Sequence, residues 1–226
     1  MNLEPYFEKY KALVKQVDAI FQKVQEEYGA CVTCKKGCSD CCHALFDLTL
    51  IEALYLKSQF DAVFETQDRE VIVERANRSD RQVHKLKRRA HKAFQDGKSQ
   101  EAILEEMAAQ RNRCPLLNDI NQCELYAARP ITCRLYGIPT AIGGQSHTCG
   151  LSGFKKGEAY PTVKLDAIQK QLYGLSSELA NDLKSKYPKL AEMLVPVSMA
   201  LLTDYTEAYL GVINADDHKG SQGEPS

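Results

Sequence analysis

The N-terminal segment carries a hydrophobic pattern with the period of an α-helix. From its sixth residue onward, apolar side chains recur every three or four positions, which places them on one helical face. The residues of this stripe are Tyr6, Tyr10, Leu13, Val17, Ile20 and Val24. The pattern predicts an amphipathic helix that ends near Gly29.

Helical signals continue through the first half of the chain. Thr49 and Glu52 have the spacing of a capping box, in which a hydroxyl and a carboxylate satisfy free backbone donors where a helix begins. This signal predicts a helix over residues 50–60. The charged stretch over residues 65–95 keeps apolar side chains at roughly helical spacing, and residues 99–112 are expected to form a further helix.

A long irregular segment follows over residues 114–161, with four cysteines and four prolines. A segment of this length without regular structure is usually functional, or is held in place by something other than backbone hydrogen bonds. Metal ligation would hold it. Two helices are expected after it, over residues 163–187 and 190–210, separated or kinked by Pro188 and Pro196.

These elements predict a mainly α fold, a helical domain with a long irregular cysteine-rich region and little or no β-structure. A chain of 226 residues with 44% hydrophobic content is suited to one sizeable core, so residues 1–215 are expected to form one domain. Residues 65–112 are interpreted as a helical insertion. The polar residues 216–226 are predicted to be a disordered tail.

The composition narrows the classes of function. The 29 Lys and Arg residues nearly cancel the 30 Asp and Glu residues, so no global field attracts nucleic acid or an anionic membrane. The first ten residues carry charges every few positions and lack the uninterrupted apolar stretch of a secretory signal, and no apolar run approaches the ~20 residues that span a bilayer. We expect a cytoplasmic protein without a membrane partner. There, nine reduced cysteines are better suited to bind metal than to form disulfides.

Five of the cysteines stand close together between Cys31 and Cys42. Side chains three and four positions apart point the same way in a helical turn, so Cys34, Cys38 and Cys41 can converge on one centre. Adjacent side chains cannot do so equally well. One of Cys41 and Cys42 is therefore expected to be the better-aimed ligand, and the other to take a second role.

The spacing of these cysteines favours an iron-sulfur cluster over zinc. Two Cys-x2-Cys pairs normally bind one zinc ion when ~12–20 residues separate the pairs. In this chain the pairs are Cys31/Cys34 and Cys38/Cys41, and only three residues lie between Cys34 and Cys38. Short gaps are typical of loops that wrap an iron-sulfur cluster, which often takes one ligand from elsewhere in the chain.

The distant ligands are expected from a second group of cysteines, Cys114, Cys123, Cys133 and Cys149. Isolated cysteines such as Cys31 and Cys149 also fit a role as small buried apolar residues. His43 and His147 are interpreted as polar loop residues in preference to ligands. The cations beside the thiols can offset the charge of a thiolate-bound centre and so contribute to cofactor binding; they are Lys35, Lys36, Arg129 and Arg134.

At these residues the chain resembles the YkgJ-type cysteine-cluster family of zinc- or iron-chelating proteins, named for a Cys-x3-Cys-x2-Cys-Cys signature. The signature residues here are Cys34, Cys38, Cys41 and Cys42. The similarity continues over roughly residues 34–149, through Cys114-Pro115, Leu117, Cys123, Arg129-Pro130, Cys133-Arg134 and Cys149. The resemblance implies metal chelation by these thiols. A more distant similarity to flagellin lysine methylases keeps open an S-adenosylmethionine-dependent, protein-modifying enzyme.

Three further interpretations are weaker. The spacing of Cys34, Cys38 and Cys41 also occurs in radical S-adenosylmethionine enzymes, but these need a barrel of alternating strands and helices. Residues 75–92 are rich in Lys and Arg, but they lack interleaved aromatic residues and are interpreted as a solvated helix face rather than a nucleic-acid site. The pair Cys41 and Cys42 can exchange disulfides, but thiol chemistry needs only two cysteines.

The sequence thus predicts one metal centre between the two cysteine groups, an iron-sulfur cluster in preference to zinc. Such a centre is compatible with a role in electron transfer or in cluster-dependent catalysis, and a zinc-stabilised binding or regulatory module is the alternative. No catalytic residue, substrate or protein partner is assigned. The expected ligands are Cys34, Cys38, Cys41, Cys42, Cys114, Cys123, Cys133 and Cys149.

Overall fold

The computed structural model describes residues 1–35 and 37–213. Lys36 and the predicted tail over residues 216–226 lie outside the described residues.

Helices form most of the regular structure in these ranges. The described part is 55% helix and 9% strand, which confirms the prediction of a mainly α fold. The α-helices are α1 (Glu4–Glu27), α2 (Leu50–Val63), α3 (Thr66–Gln95), α4 (Gln100–Ala108), α5 (Ile131–Leu135), α6 (Leu165–Asp182) and α7 (Val197–Leu202). Short 3₁₀ helices cover Asp40–His43, Tyr126–Ala128 and Leu190–Glu192. None of the described helices has the length and apolar character that crossing a membrane requires.

The short strands form two small sheets. They are β1 (Asp47–Thr49), β2 (Thr140–Ile142), β3 (Gln145–His147), β4 (Val163–Lys164) and β5 (Leu194–Pro196). Strand β1 pairs antiparallel with β5, with Leu48 opposite Val195. Strand β2 pairs antiparallel with β3 and parallel with β4. The turn between β2 and β3 uses Gly143 and Gly144 at positive φ, where glycine carries no steric cost.

Helix α2 is the centre of the fold because it is apolar on more than one side. Leu50, Ile51 and Leu54 belong to a core cluster shared with α1, α5 and α6. Leu56 and Phe60 belong to a second cluster shared with α3 and α7. One helix therefore joins the two clusters, and the cysteine-bearing loops lie at its N-terminal side.

Helix α1 buries most of its predicted stripe. Tyr10, Leu13, Val17 and Val24 are buried together with Phe7, which the stripe did not include. Ile20 was wrongly predicted to face the core, since it is 39% exposed. The buried positions run along the side of α1 that packs on α2, α5 and α6.

The predicted helix over residues 190–210 is wrong. The chain there forms a 3₁₀ helix, then β5, then the six-residue α7. Pro196 explains the change, because a proline disfavours the helical conformation at the preceding residue and cannot donate a backbone hydrogen bond. Val195 is accordingly extended and pairs with Leu48.

The basic segment over residues 75–92 lies within α3 and is largely turned to solvent. Its buried positions are Ala76, Ser79 and Val83. Arg75 pairs with Glu124, and Lys87 pairs with Asp47 at 2.7 Å. Two of its cations thus contact other parts of the chain, while exposed residues such as Arg81, Lys85, Arg88 and Lys92 form an outer face.

The buried Glu52 joins the start of α2 to the start of α5. One carboxylate oxygen accepts hydrogen bonds from the Thr49 N–H at 3.2 Å and from the Thr49 hydroxyl at 3.0 Å. The other accepts the Ile131 N–H at 3.1 Å. Burial raises the pKa of Glu52, and these hydrogen bonds only partly offset that effect. The capping contact predicted from Thr49 and Glu52 is therefore present, and it extends to the helix that carries Cys133.

We expect Glu52→Gln to lower the free energy of unfolding by about 1–3 kcal/mol, because an amide offers one acceptor oxygen where the carboxylate offers two. Denaturant unfolding at neutral pH checks this value. Glu101→Gln is the matched control, since Glu101 is exposed at the start of α4 and is expected to change stability by less than about 0.5 kcal/mol. Equal stability of the two variants would contradict the proposed link.

Candidate metal centre

Backbone hydrogen bonds hold the two cysteine-bearing regions side by side. The Cys114 N–H donates to the Cys42 carbonyl at 2.7 Å, and the Asn112 N–H donates to the His43 carbonyl at 3.0 Å. Ala44 and Arg111 form an antiparallel bridge next to them. The 3₁₀ helix over Asp40–His43 therefore lies along the segment that begins the late cysteine group.

A tight hairpin brings Cys123 back beside Cys114. The Glu124 N–H donates to the Leu116 carbonyl at 2.8 Å, and Leu117 bridges Cys123. Arg75 of α3 fixes this hairpin, because its guanidinium pairs with the Glu124 carboxylate at 2.8 Å and donates to two carbonyls of the same turn. The charge of Arg75 thus stabilises the hairpin that carries Cys123.

Helix α5 brings the third segment, with Cys133, to the same place. Arg134, the next residue, is 8% exposed. Its guanidinium contacts both carboxylate oxygens of Asp18 on α1, at 2.8 and 3.1 Å. It also donates to the Arg129 carbonyl at 2.7 Å and to the Ala127 carbonyl. Arg134 therefore ties α5 to α1 and to the loop before it.

The three segments enclose a small inner cavity of about 40 Å³. Since a single water occupies roughly 10–15 Å³ on this measure, the cavity has room for about three water-sized atoms. Apolar side chains such as Leu116, Leu125 and Val83 form much of its remaining wall. Five thiols line it, those of Cys41, Cys42, Cys114, Cys123 and Cys133.

A larger outer pocket of about 600 Å³ lies on the other side of these thiols. Helix α1 and the segment around Tyr126 form two of its walls. Both cavities share Arg129 and the thiols of Cys41, Cys42, Cys123 and Cys133. These side chains thus form a partition, with Cys114 on the inner side, and Cys34 and Cys38 on the outer side.

Cys34 and Cys38 lie together at the outer pocket. The Cys34 thiol donates to the Tyr136 carbonyl at 3.2 Å, and burial together with the neighbouring Cys38 raises its pKa. Gly137 lies directly against it, with a φ of +111°, and a Cβ at that position would collide with Cys34 Sγ. The glycine is therefore required both by the backbone conformation and by the sulfur.

Cys149 and Cys31 line neither cavity. The Cys149 thiol lies 3.3 Å from an Asp40 carboxylate oxygen and accepts the Leu151 N–H at 3.4 Å. Arg111 forms an ion pair with Asp40. The Cys31 carbonyl accepts the Gly153 N–H at 2.8 Å, and its side chain packs against the first core cluster.

The two histidines are placed differently from the thiols. His43 Nδ1 lies 3.0 Å from the Ser39 carbonyl, within its own turn. His147 is exposed on β3.

One thiol of the partition is electrostatically distinct. Hydrogen bonds from the thiols of Cys133 and Cys42 lower the pKa of Cys41, and the guanidinium of Arg129 adds to this effect. Those same hydrogen bonds raise the pKa of Cys42 and of Cys133. Burial raises the pKa of Cys114 to about 12. One thiolate supported by neighbouring thiols is thus favoured here, and further ionisation needs a cation in the cavity.

Burial also favours the neutral form of Cys34, Cys123 and Cys149. Burial raises the pKa of Cys34 to about 12, and it also raises the pKa of Cys123 and of Cys149. Burial also opposes the ionisation of Asp40, but hydrogen bonds from Cys149 and Arg111 outweigh it and lower the pKa of Asp40.

The predicted cations have different surroundings. Arg134 is neutralised by Asp18, as described above. Arg129 stacks on the Tyr126 ring, with its guanidinium carbon 3.6 Å from the ring centroid. It lies close enough to Cys41 and Cys123 to favour their thiolates. Lys35 is exposed at the outer pocket.

The lining of the inner cavity fits a thiolate-bound metal. Besides its five thiols, it includes one buried acceptor, Asn112 Oδ1, for which no hydrogen-bond partner is found in residues 1–35 and 37–213. Buried polar atoms normally have a hydrogen-bond partner, so the cavity can also hold a group that donates a hydrogen bond to Asn112 Oδ1. In the same ranges, no three His, Cys, Asp or Glu side chains already form a set that could hold a metal ion. The thiols share the cavity without forming a closed cage.

The chain belongs to the CxxCxxCC family, which is described as a "Putative zinc- or iron-chelating domain" and whose model matches residues 33–150. The match includes all eight predicted ligands and leaves out Cys31. It confirms the family and the chelating class that the cysteine spacing indicated. No curated protein and no solved structure matches the chain.

Several residues that shape the site were missed by the sequence reasoning. Asp40 lies within the cysteine motif, but its contacts with Arg111 and Cys149 cross the fold and have no local signal. Tyr126 stands three residues before Arg129, a spacing that could have indicated their contact. Gly137 could have been noted as a glycine shortly after Cys133-Arg134, but its contact with Cys34 could not.

Proposed function

We propose that the chain binds an iron-sulfur cluster at the partition between the two cavities. The observation that carries the proposal is the meeting of five thiols from three chain segments at the inner cavity. The proposed ligands come from this set, Cys41, Cys42, Cys114, Cys123 and Cys133. Cys34, Cys38 and Cys149 are assigned to the surroundings of the centre.

The number and spread of these thiols favour a cluster over a single ion. One zinc ion draws four sulfurs to ~2.3 Å and leaves further thiols without a partner. In a cluster each iron takes its own thiolate, so ligands can stand farther apart and come from different segments. The 600 Å³ pocket beside the partition adds the space that a body larger than one ion needs.

The surrounding residues suit a centre that exchanges electrons. An iron-sulfur cluster supplies one-electron chemistry over a wide range of potentials, set by charge, hydrogen bonds and solvent exposure. Arg129 supplies positive charge beside Cys41 and Cys123. Apolar side chains line much of the inner side of the partition, and the outer pocket leaves the other side accessible. Electron transfer or cluster-dependent catalysis is the proposed role, in a reducing compartment such as the cytoplasm.

A zinc-stabilised module is the second candidate function. One zinc ion needs only four thiolates, and five thiols line the inner cavity, with Cys41 placed so that Cys133 and Cys42 lower its pKa. Such a site would stabilise the loops and leave the outer pocket without redox chemistry.

Metal analysis of anaerobically purified protein separates the two candidates. A cluster predicts iron and acid-labile sulfide in about equal amounts, with broad visible absorption that is lost on chelation. One equivalent of zinc without sulfide would refute the cluster and support the zinc-stabilised module. Protein that takes up neither metal on reconstitution would overturn both. Cys31→Ser is the matched control, because Cys31 lines neither cavity and lies outside the family match.

A further inference from the structure

The outer pocket has the size and composition of a ligand-binding site. Its volume of about 600 Å³ lies within the roughly 300–1,000 Å³ that is common for small-molecule sites. Asp18, Phe21 and Gln25 follow one another along one face of α1 and form a wall. Tyr126 and Arg129 also line the pocket. The pocket thus combines aromatic surface with charged and amide side chains, among them Asn121 and Gln122.

The charges at this pocket favour an anionic occupant. Asp18 contributes no free negative charge, since it is paired with Arg134. For Lys35 and Arg129, no ion pair with a carboxylate is found in the described part of the chain. A metal bound at the partition would offset part of the charge of its thiolates, and Lys35 adds a second cation to that of Arg129 at this pocket.

Arg129 is arranged to bind an oxyanion. Its guanidinium carbon lies over the Tyr126 ring, 3.6 Å from the ring centroid, and its Nε donates to the Tyr126 carbonyl at 3.1 Å. Stacking and this hydrogen bond fix the plane of the group. Its two terminal nitrogens have no recorded hydrogen-bond acceptor among residues 1–35 and 37–213. A planar fork held in this way can bind a carboxylate or phosphate through two hydrogen bonds at once.

We propose that the outer pocket binds a small organic anion. Its carboxylate or phosphate is held by Arg129, with Lys35 adding attraction at the entrance, and its apolar part lies against Phe21 and Tyr126. The ligand would then lie beside Cys41 and Cys133. That this position is next to a metal centre rests on the proposed function. The binding of the anion itself needs only the residues of the pocket.

Matched aromatic probes test the proposal on the metal-reconstituted protein. Benzoate and phenyl phosphate carry the two anionic groups, and benzamide is a neutral analogue of benzoate. Calorimetry or ligand-observed NMR is expected to show at least about tenfold tighter binding of one anion than of benzamide. The preferred anion identifies the carboxylate or phosphate class. Equal affinity for all three probes would overturn the proposal.

Variants test whether the preference for the anion depends on the guanidinium group of Arg129. Arg129→Gln is expected to abolish the preference for the anion, and Tyr126→Ala, which retains the positive charge, is expected to weaken it several-fold. Arg78→Gln, an exposed arginine of α3, is the control and is expected to bind as the unmodified chain does. An unchanged preference in Arg129→Gln would defeat the assignment. Metal content is measured on every sample, so normal metal without anion binding refutes this inference alone, and anion binding without metal refutes the proposed function alone.

Discussion

Cys133→Ser is expected to remove most of the bound metal and to lower the melting temperature by roughly 6–12 °C. Cys133 lines both cavities together with Cys41, so its loss opens the partition between them. Binding of a metal by loops contributes directly to the folding of those loops. A loss of about 3 kcal/mol corresponds to this temperature shift in a chain of this size.

The comparison among serine variants makes this prediction specific. Cys114→Ser is expected to behave like Cys133→Ser, because Cys114 belongs to the inner cavity on another segment. Cys31→Ser is expected to keep both metal and melting temperature. Metal content per protein and thermal unfolding of reconstituted samples measure the two effects. Full metal occupancy in both Cys114→Ser and Cys133→Ser would refute the proposed ligand set, while equal loss in Cys31→Ser would indicate general destabilisation.

Local patterns predicted the elements of this fold better than their packing. The period of α1 depends only on neighbouring residues, so the helix was predictable. That Phe7 is buried and Ile20 is exposed depends on where α5 and α6 lie. The capping contact of Thr49 and Glu52 was predictable for the same reason. The contact from Glu52 to Ile131 was not, since it joins distant segments.

The late chain shows how tertiary pairing can override an apolar pattern. Residues 190–210 contain many apolar side chains, and a helix was predicted. Pro196 prevents a continuous helix, and the extended Leu194–Pro196 segment gains backbone hydrogen bonds by pairing with β1. A prediction that gave Pro196 its full weight would have ended the helix there. The partner strand could not have been predicted from this segment alone.

At the candidate site, the spacing of the cysteines indicated that their thiols converge, but it did not indicate which thiols line which cavity. Gaps of two and three residues favour a shared centre for Cys34, Cys38 and Cys41. In the structure Cys41 lies in the partition, while Cys34 and Cys38 lie on its outer side. Backbone pairing of Cys42 with Cys114 decides this division. That pairing depends on the whole fold, so sequence spacing carries no signal for it.

Arg134→Leu is expected to lower the free energy of unfolding by about 2–5 kcal/mol and to reduce metal retention. The side chain is 8% exposed and donates to Asp18 and to the carbonyls of Ala127 and Arg129. Leucine fills part of the volume but leaves the two carbonyls without their donor. Since Cys133 and Arg134 are adjacent on α5, the loss of this anchor also loosens the position of Cys133.

Two further variants separate the charge of Arg134 from its geometry. Arg134→Lys keeps the charge, but an ammonium group cannot reproduce a planar fork, so it is expected to recover only part of the stability. Asp18→Asn is expected to cost less than about 1 kcal/mol, because the Asp18 side chain is 48% exposed and the backbone contacts of Arg134 remain. Denaturant unfolding and metal content measure both variants. If Asp18→Asn proved as damaging as Arg134→Leu, the ion pair would be the main contribution, and the explanation through the carbonyls of Ala127 and Arg129 would be wrong.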